Sequence, residues 1–162
     1  MPIRPVLAFC LTLSAAAAHA GAPETRITPV AAADLPPGVL SVVLKAAPGL
    51  KVIEAELKER EDRRYFDVEG VLPGGAEIEF DLLERNGAWE IVETQRDIAW
   101  TEAPAAVQTA AGKARPVRVI ESTQNDGRVI YELFAAGQPK TPALEVSYKD
   151  GVAKVLAEAW PH

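Results

Sequence analysis

Carboxylates at alternate positions are the residues of this sequence that could act as a general acid and a general base. Glu77 and Glu79 are two positions apart, so on a strand their side chains point to the same face. Glu145 occupies the position of Glu79 in an internal repeat. Proton transfer needs one carboxyl held in an apolar pocket that raises its pKa. The neighbouring residues indicate no such pocket, so we interpret the three glutamates as the polar side of amphipathic strands.

Histidine, cysteine and serine add little further chemistry. If the first 20 residues are removed as a signal peptide, Cys10 is lost and the terminal His162 is the sole histidine left. No serine lies in a G-x-S-x-G elbow, and phosphate-binding glycine loops and calcium loops are missing from the sequence. We therefore predict no catalytic residue, no metal site and no cofactor, and we expect that the protein is not an enzyme.

Aromatic residues are the remaining candidates for function. Tyrosine and tryptophan combine a large contact area with a polar tip, which makes them common anchors where a sheet face binds another protein. The alternative is that they fill the core, as we expect for Phe66, Phe80 and Phe134. The predicted binding residues are Tyr65, Trp89, Tyr148 and Trp160.

Two helices and eight strands are predicted to position these residues. The helices have apolar residues at helical spacing, for example Val39 and Val43 in the first and Val107 in the second. Each helix has a proline in its first turn and ends before a second proline. The predicted strands are 50–58, 64–70, 76–84 and 88–93 after the first helix, and 117–124, 128–135, 143–148 and 152–158 after the second.

Short turns set the direction of the strands. Asn86-Gly87, Asp126-Gly127 and Asp150-Gly151 suit tight hairpins with positive φ angles. Connections of this length require antiparallel strands. The predicted fold class is therefore α+β, a tandem repeat of two α-β-β-β-β units with antiparallel sheets and one helix packed on each. The units are predicted at residues 34–99 and 100–162.

Residues 1–20 are predicted to be a cleavable secretory signal peptide. Arg4 precedes an apolar stretch, and Ala18 and Ala20 are small residues at the positions that signal peptidase reads. The apolar stretch is shorter than a spanning helix requires, so we expect no membrane insertion after cleavage. Residues 21–33 are predicted to form a flexible leader. The expected location is periplasmic or secreted.

The charge of the chain limits its partners. The formal net charge is −6 at pH 7, which argues against nucleic acid, because phosphates need lysine and arginine. The charged residues from 54 to 64 alternate in sign and are interpreted as a solvated strand face.

A family resemblance covers most of the chain from Asp34 onward. The motifs that carry it are the openings of the two repeats, a tyrosine in each second strand and the final hairpins: 35–39 and 103–107, Tyr65 and Tyr131, and Asn86-Gly87 and Asp150-Gly151. In these motifs the chain resembles the PepSY-like group of small exported bacterial domains, which is similar in architecture to the β-lactamase inhibitor protein fold. The resemblance implies a binding module with a curved joint sheet that faces a partner, and some relatives inhibit peptidases or β-lactamases.

Three functions follow from these observations. The leading hypothesis is a non-enzymatic exported module that binds a protein or peptide of the cell envelope through a sheet face, with inhibition as one form of that role. The alternative is a small-ligand carrier with a cavity between helices and sheet. The small side chains of the alanine-rich second helix either leave room for a ligand or let the helix lie close to its sheet. The third is a hydrolase that uses Glu77, Glu79 or Glu145.

Overall fold

One antiparallel sheet of nine strands dominates residues 25–160, the part of the chain that the computed structural model describes. The strands lie side by side in chain order, each paired with the next. Helix α1 (Pro37–Ala46) precedes β2 and helix α2 (Ala105–Ala111) precedes β6. The strands are β1 Arg26–Pro29, β2 Lys51–Arg60, β3 Arg63–Val71, β4 Glu77–Arg85, β5 Ala88–Ile98, β6 Arg118–Gln124, β7 Val129–Phe134, β8 Leu144–Lys149 and β9 Val152–Val155.

The predicted α+β tandem of two α-β-β-β-β units is wrong. Strands β5 and β6 pair along their length, from Glu93 opposite Gln124 to Ile98 opposite Val119, so the strands form a single sheet and the fold is mainly β. Alternating polarity and turn residues are local signals, and they do not reveal a pairing that spans the intervening α2 segment.

Strand β1 lies within the segment predicted to be a flexible leader. Arg26 is the partner of Glu59 and Pro29 the partner of Glu56, which places this segment along the outer side of β2. Part of residues 21–33 is therefore an edge strand. The predicted signal peptide, residues 1–20, lies outside the described residues. Within residues 25–160 no helix is long and apolar enough to cross a membrane.

The helices bury the apolar stripes that their spacing predicts. Val39 and Val43 on α1 and Val107 on α2 have no exposed surface. Helix α1 packs with Phe66, Val68, Phe80 and Leu82, whereas α2 packs with a second cluster that includes Val119, Leu133 and Val146. Each helix thus covers its own part of the sheet.

Both helices lie on the same side of the sheet. Directly paired residues of antiparallel strands project to one side. Phe80 of the first cluster pairs with Thr94, Thr94 with Thr123, and Thr123 with Val129, which packs against the second cluster. The opposite side of the sheet carries neither α1 nor α2, and we call it the helix-free face.

Candidate functional site

A row of acidic residues crosses four strands on the helix-free face. Glu56 on β2 pairs with Asp67 on β3, Asp67 pairs with Asp81 on β4, and Asp81 pairs with Glu93 on β5. We call these four residues the first acidic row. Acidic residues placed directly opposite each other on neighbouring strands are unfavourable, because two carboxylates repel each other unless one of them takes up a proton. Here that arrangement occurs three times in succession.

A second acidic row lies two residues along the same strands. Glu54 pairs with Glu69, and Glu69 pairs with Glu79. Side chains two positions apart on a strand project to the same side, so both rows occupy the helix-free face. We call the seven carboxyl-bearing residues of the two rows the acidic face.

The core dictates which way these carboxylates point. Phe66 and Val68 on β3 are buried beneath α1, at 2% and 0% exposure. Because side chains alternate along a strand, Asp67 and Glu69 must project to the opposite side. Phe80 and Leu82 have the same effect on the acidic residues of β4. The acidic face is therefore fixed in position by the burial of the apolar face.

Lys58 on β2 contacts the acidic face. Its ammonium group forms an ion pair with Asp67. Burial alone would lower the pKa of Lys58, but the hydrogen bond and charge of Asp67 outweigh it, and the pKa is raised. Arg118 lies nearby on β6, but its guanidinium is held by Asp97 through two hydrogen bonds of 2.8 and 2.9 Å.

Asp81 sits at the centre of the first acidic row and is a weak acid. Burial raises the pKa of Asp81 to about 8, with further contributions from the charges of Asp67, Glu93 and Glu79. Its Oδ1 atom is buried and has no hydrogen-bond partner among the described residues. Asp81 is therefore mostly protonated at pH 7.

Two carboxyl groups of the second acidic row also have raised pKa values. Burial raises the pKa of Glu79, and the charges of Asp67 and Glu69 add to it. Burial likewise raises the pKa of Glu69, with the charges of Glu77 and Glu54 adding to it. These carboxyl groups repel one another, and a positive charge placed among them would relieve that repulsion.

Three carboxyl groups of the acidic face are close enough to share a cation. One oxygen from each of Asp67, Glu79 and Asp81 lies within 4.8 Å of the others. The residue pattern predicts no metal site, because this group forms only through the pairing of β3 with β4. The ammonium of Lys58 already occupies part of the space around Asp67.

Two of the predicted binding residues lie on the side of the sheet that carries the helices. Trp89 packs edge-on against Phe66, with ring centroids 5.1 Å apart, and belongs to the first cluster. Tyr148 packs edge-on against Tyr131 at 6.4 Å and belongs to the second cluster. Both side chains thus help to build the core and do not border the acidic face.

The other two predicted binding residues lie elsewhere. Tyr65 pairs with Lys58 and with Leu83, which places it beside the first acidic row. Its side chain is half-buried. Trp160 follows the last strand, and its backbone N–H donates a hydrogen bond of 2.6 Å to Glu145 Oε2. The guanidinium of Arg128 lies 5.5 Å from the centroid of the Trp160 ring. Of the four residues, Tyr65 alone borders the acidic face.

The glutamates considered as acid and base are only partly brought together. Glu79 belongs to the second acidic row, and Glu77 lies exposed at the start of β4. Glu145 lies four strands away on β8, where it pairs with Glu132 and accepts the hydrogen bond from Trp160. The arrangement does not join Glu79 and Glu145 in one site.

Most of the acidic face is not among the sites predicted from the sequence. A signal was present, because acidic residues two positions apart recur in three successive predicted strands. The alternating charges from 54 to 64 were interpreted instead as a solvated face. The residues missed in this way are Glu54, Glu56, Asp67, Glu69, Asp81 and Glu93.

Comparisons of the chain with protein-family models, with curated proteins and with solved structures find no match. The resemblance to the PepSY-like group therefore stays a prediction, based on the motifs of the sequence alone.

Proposed function

We propose that this chain is a non-enzymatic module that binds a protein or peptide through the helix-free face of its sheet. The observation that carries the proposal is the acidic face, where seven carboxyl-bearing residues on four neighbouring strands project to the side opposite both helices. An extended polar face of this kind suits a polypeptide partner.

The shape of this face favours binding over catalysis. Two depressions on it have volumes of about 60 and 70 Å³. Sites for substrates and other small molecules are typically clefts of about 300–1,000 Å³. Depressions of this size hold the tip of a side chain, which supports a contact surface for a larger partner.

Packing of the helices argues against the small-ligand carrier. Val39 and Val43 on α1 and Val107 on α2 are fully buried against the sheet. The small residues of α2, such as Ala103 and Ala111, are also buried in its cluster. Short side chains here favour a close approach of helix and sheet.

We further propose that the module acts outside the cytoplasm, on a partner of the cell envelope. The support is the pattern of residues 1–20, with Arg4 before the apolar stretch and small residues at Ala18 and Ala20. N-terminal sequencing of the protein from culture medium or periplasm should begin at Gly21. A chain that keeps Met1 and stays in the cytoplasm would contradict the proposed location.

A position-specific crosslink tests the binding face. A photoreactive amino acid is placed at Glu69 on the acidic face and, as a matched control, at the exposed Lys45 on α1. With envelope extract we expect a crosslinked polypeptide from position 69 and none from position 45. Crosslinking from position 45 alone, or from neither position, would contradict the proposed function.

A further inference from the structure

We propose that the partner presents a lysine- or arginine-bearing segment that lies across both acidic rows. This inference rests on the proposed function, because it names the chemistry of the partner that the helix-free face would bind.

The sheet places acidic side chains opposite one another at a cost, either as repulsion between carboxylates or as the raised pKa of Asp81. In the first acidic row, Glu56, Asp67 and Asp81 each face an acidic residue on the next strand. Neutral polar residues at the same positions would avoid that cost. The unfavourable arrangement is therefore explained by a positively charged partner, which turns the repulsion into attraction on binding.

Within the described residues, the cations leave the second acidic row without a direct ion pair. Lys58 pairs with Asp67 in the first row. For the second row, residues 25–160 provide no ion pair to Glu54, Glu69 or Glu79. Lys58 and Arg118 act on Glu79 and Glu69 only as nearby charges, so a cation of another molecule could still form a direct ion pair with the second row.

A depression of about 70 Å³ lies between the two rows. A water molecule takes about 30 Å³ in the liquid, so this space accepts the ammonium or guanidinium tip of one side chain. Its lining holds no basic residue and consists of Glu54, Ala55, Glu56, Asp67, Glu69 and Glu79. A single lysine or arginine tip would meet carboxyl groups from three strands.

The extent of the acidic face favours a polypeptide over a single metal ion. Neighbouring strands are about 4.8 Å apart, so the first row, from β2 to β5, spans roughly 14 Å. One ion could contact Asp67, Glu79 and Asp81 but could not reach both ends of the row. Several positive charges spaced along a chain match this length.

A peptide-binding measurement tests the inference. The probe is a nine-residue peptide of alternating lysine and alanine, and the same peptide with glutamate in place of lysine is the probe control. The face variant carries Glu54→Gln, Glu69→Gln and Glu79→Gln. A matched variant removes three exposed charges elsewhere, through Asp34→Asn, Asp150→Asn and Glu158→Gln. Isothermal titration calorimetry at 20 mM salt gives the affinity of the wild type and of each variant for each peptide.

We expect the wild type to bind the lysine peptide and not the glutamate peptide. The face variant should lose at least about tenfold in affinity, whereas the matched variant should change by less than about twofold. Equal losses in the two variants would overturn the inference, because they indicate attraction by net charge alone. Absence of binding by the wild type, or a response to Mg²⁺ or Ca²⁺ and not to the peptide, would also overturn it.

The crosslink at position 69 separates this inference from the proposed function. If a partner still crosslinks there when Glu54 and Glu79 are glutamine, the binding face stands and the cationic partner is wrong. If the wild type yields no crosslink at that position, the proposed function itself is wrong.

Discussion

Asp67 and Asp81 are direct partners on neighbouring antiparallel strands, and both carboxyl groups project away from the helices. Burial raises the pKa of Asp81 to about 8, and the charge of Asp67 is the largest of the carboxylate contributions to that shift. Burying one acidic side chain beside another lowers the free energy of unfolding at neutral pH.

Removing the charge of Asp81 should stabilise the protein in a pH-dependent way. The pKa of Asp81 is higher in the folded state than in the unfolded state, so the folded state binds more protons between about pH 4 and pH 8. The free energy of unfolding therefore falls as pH rises through this window, by at most about 1.4 kcal/mol per pH unit. We expect Asp81→Asn to raise Tm by about 5 °C at pH 8 and by little at pH 4.

Thermal unfolding followed by circular dichroism at several pH values measures this effect. Asp34→Asn, at an exposed position before α1, is the control and should leave the pH profile of Tm unchanged. A stabilisation by Asp81→Asn that is equal at pH 4 and pH 8 would contradict the buried, protonated state of Asp81.

Binding of the lysine peptide should strengthen as pH rises. Asp81 is faced by Asp67 on β3, Glu93 on β5, Glu79 on its own strand and Lys58 on β2, and its pKa is about 8. A bound cation stabilises the ionised carboxylate, so binding releases a proton and is favoured at higher pH. Lysine, with a pKa of about 10, stays charged over this range.

We expect the affinity of the peptide to rise by about tenfold between pH 6.5 and pH 8.5, since binding releases about one proton. The same titration with Asp81→Asn should give a flatter pH profile. A profile that is flat for the wild type, or equally steep in the variant, would exclude Asp81 as the titrating group.

Substitutions of the aromatic residues should separate stability from binding. Trp89 packs on Phe66 within the first cluster, so Trp89→Leu should lower the free energy of unfolding by about 1–3 kcal/mol and leave the affinity for the lysine peptide unchanged. Tyr65→Ala, beside the first acidic row, should lower the affinity for the lysine peptide by about threefold. Chemical denaturation and isothermal titration measure the two quantities, and the reverse pattern would place the binding surface on the helix side.

Gly70 on β3 should tolerate no larger residue. A Cβ at this position would lie 2.7 Å from Leu50 Cδ1 and 2.8 Å from the backbone oxygen of Lys51. Because a backbone oxygen cannot move aside easily, Gly70→Ala should lower the free energy of unfolding by about 1–3 kcal/mol. Gly74→Ala is the matched control, since its Cβ would meet no atom within 4 Å, and urea denaturation of the two variants makes the comparison. Equal stability of the two variants would contradict the close packing of β2 on β3.

Local patterns predicted much of the secondary structure. The helical spacing of Val39 and Val43 placed α1, and both residues are fully buried. The hairpin at Asn86-Gly87 is also confirmed, because both residues have positive φ, 53° and 79°, between β4 and β5. In these cases the backbone conformation and the buried side chains are determined by residues close together in sequence.

Long-range pairing limited the prediction of the sheet and of the site. No local signal indicates that Glu93 on β5 lies opposite Gln124 on β6, and the predicted division into two units failed at this junction. The acidic face depends in the same way on register, because Asp67 and Asp81 come together only when β3 and β4 are aligned. A shift of one residue would send these carboxylates to the buried side.

Chemical-shift mapping of the protein with the lysine peptide locates the binding surface residue by residue. The backbone amide signals of the chain are followed as the alternating lysine and alanine peptide is added. We predict that the largest changes fall on the acidic face, at Glu54, Asp67, Glu69, Glu79 and Asp81, with little change in α1 and α2. Changes that concentrate on the helices, or that spread evenly over both sides of the sheet, would contradict the account.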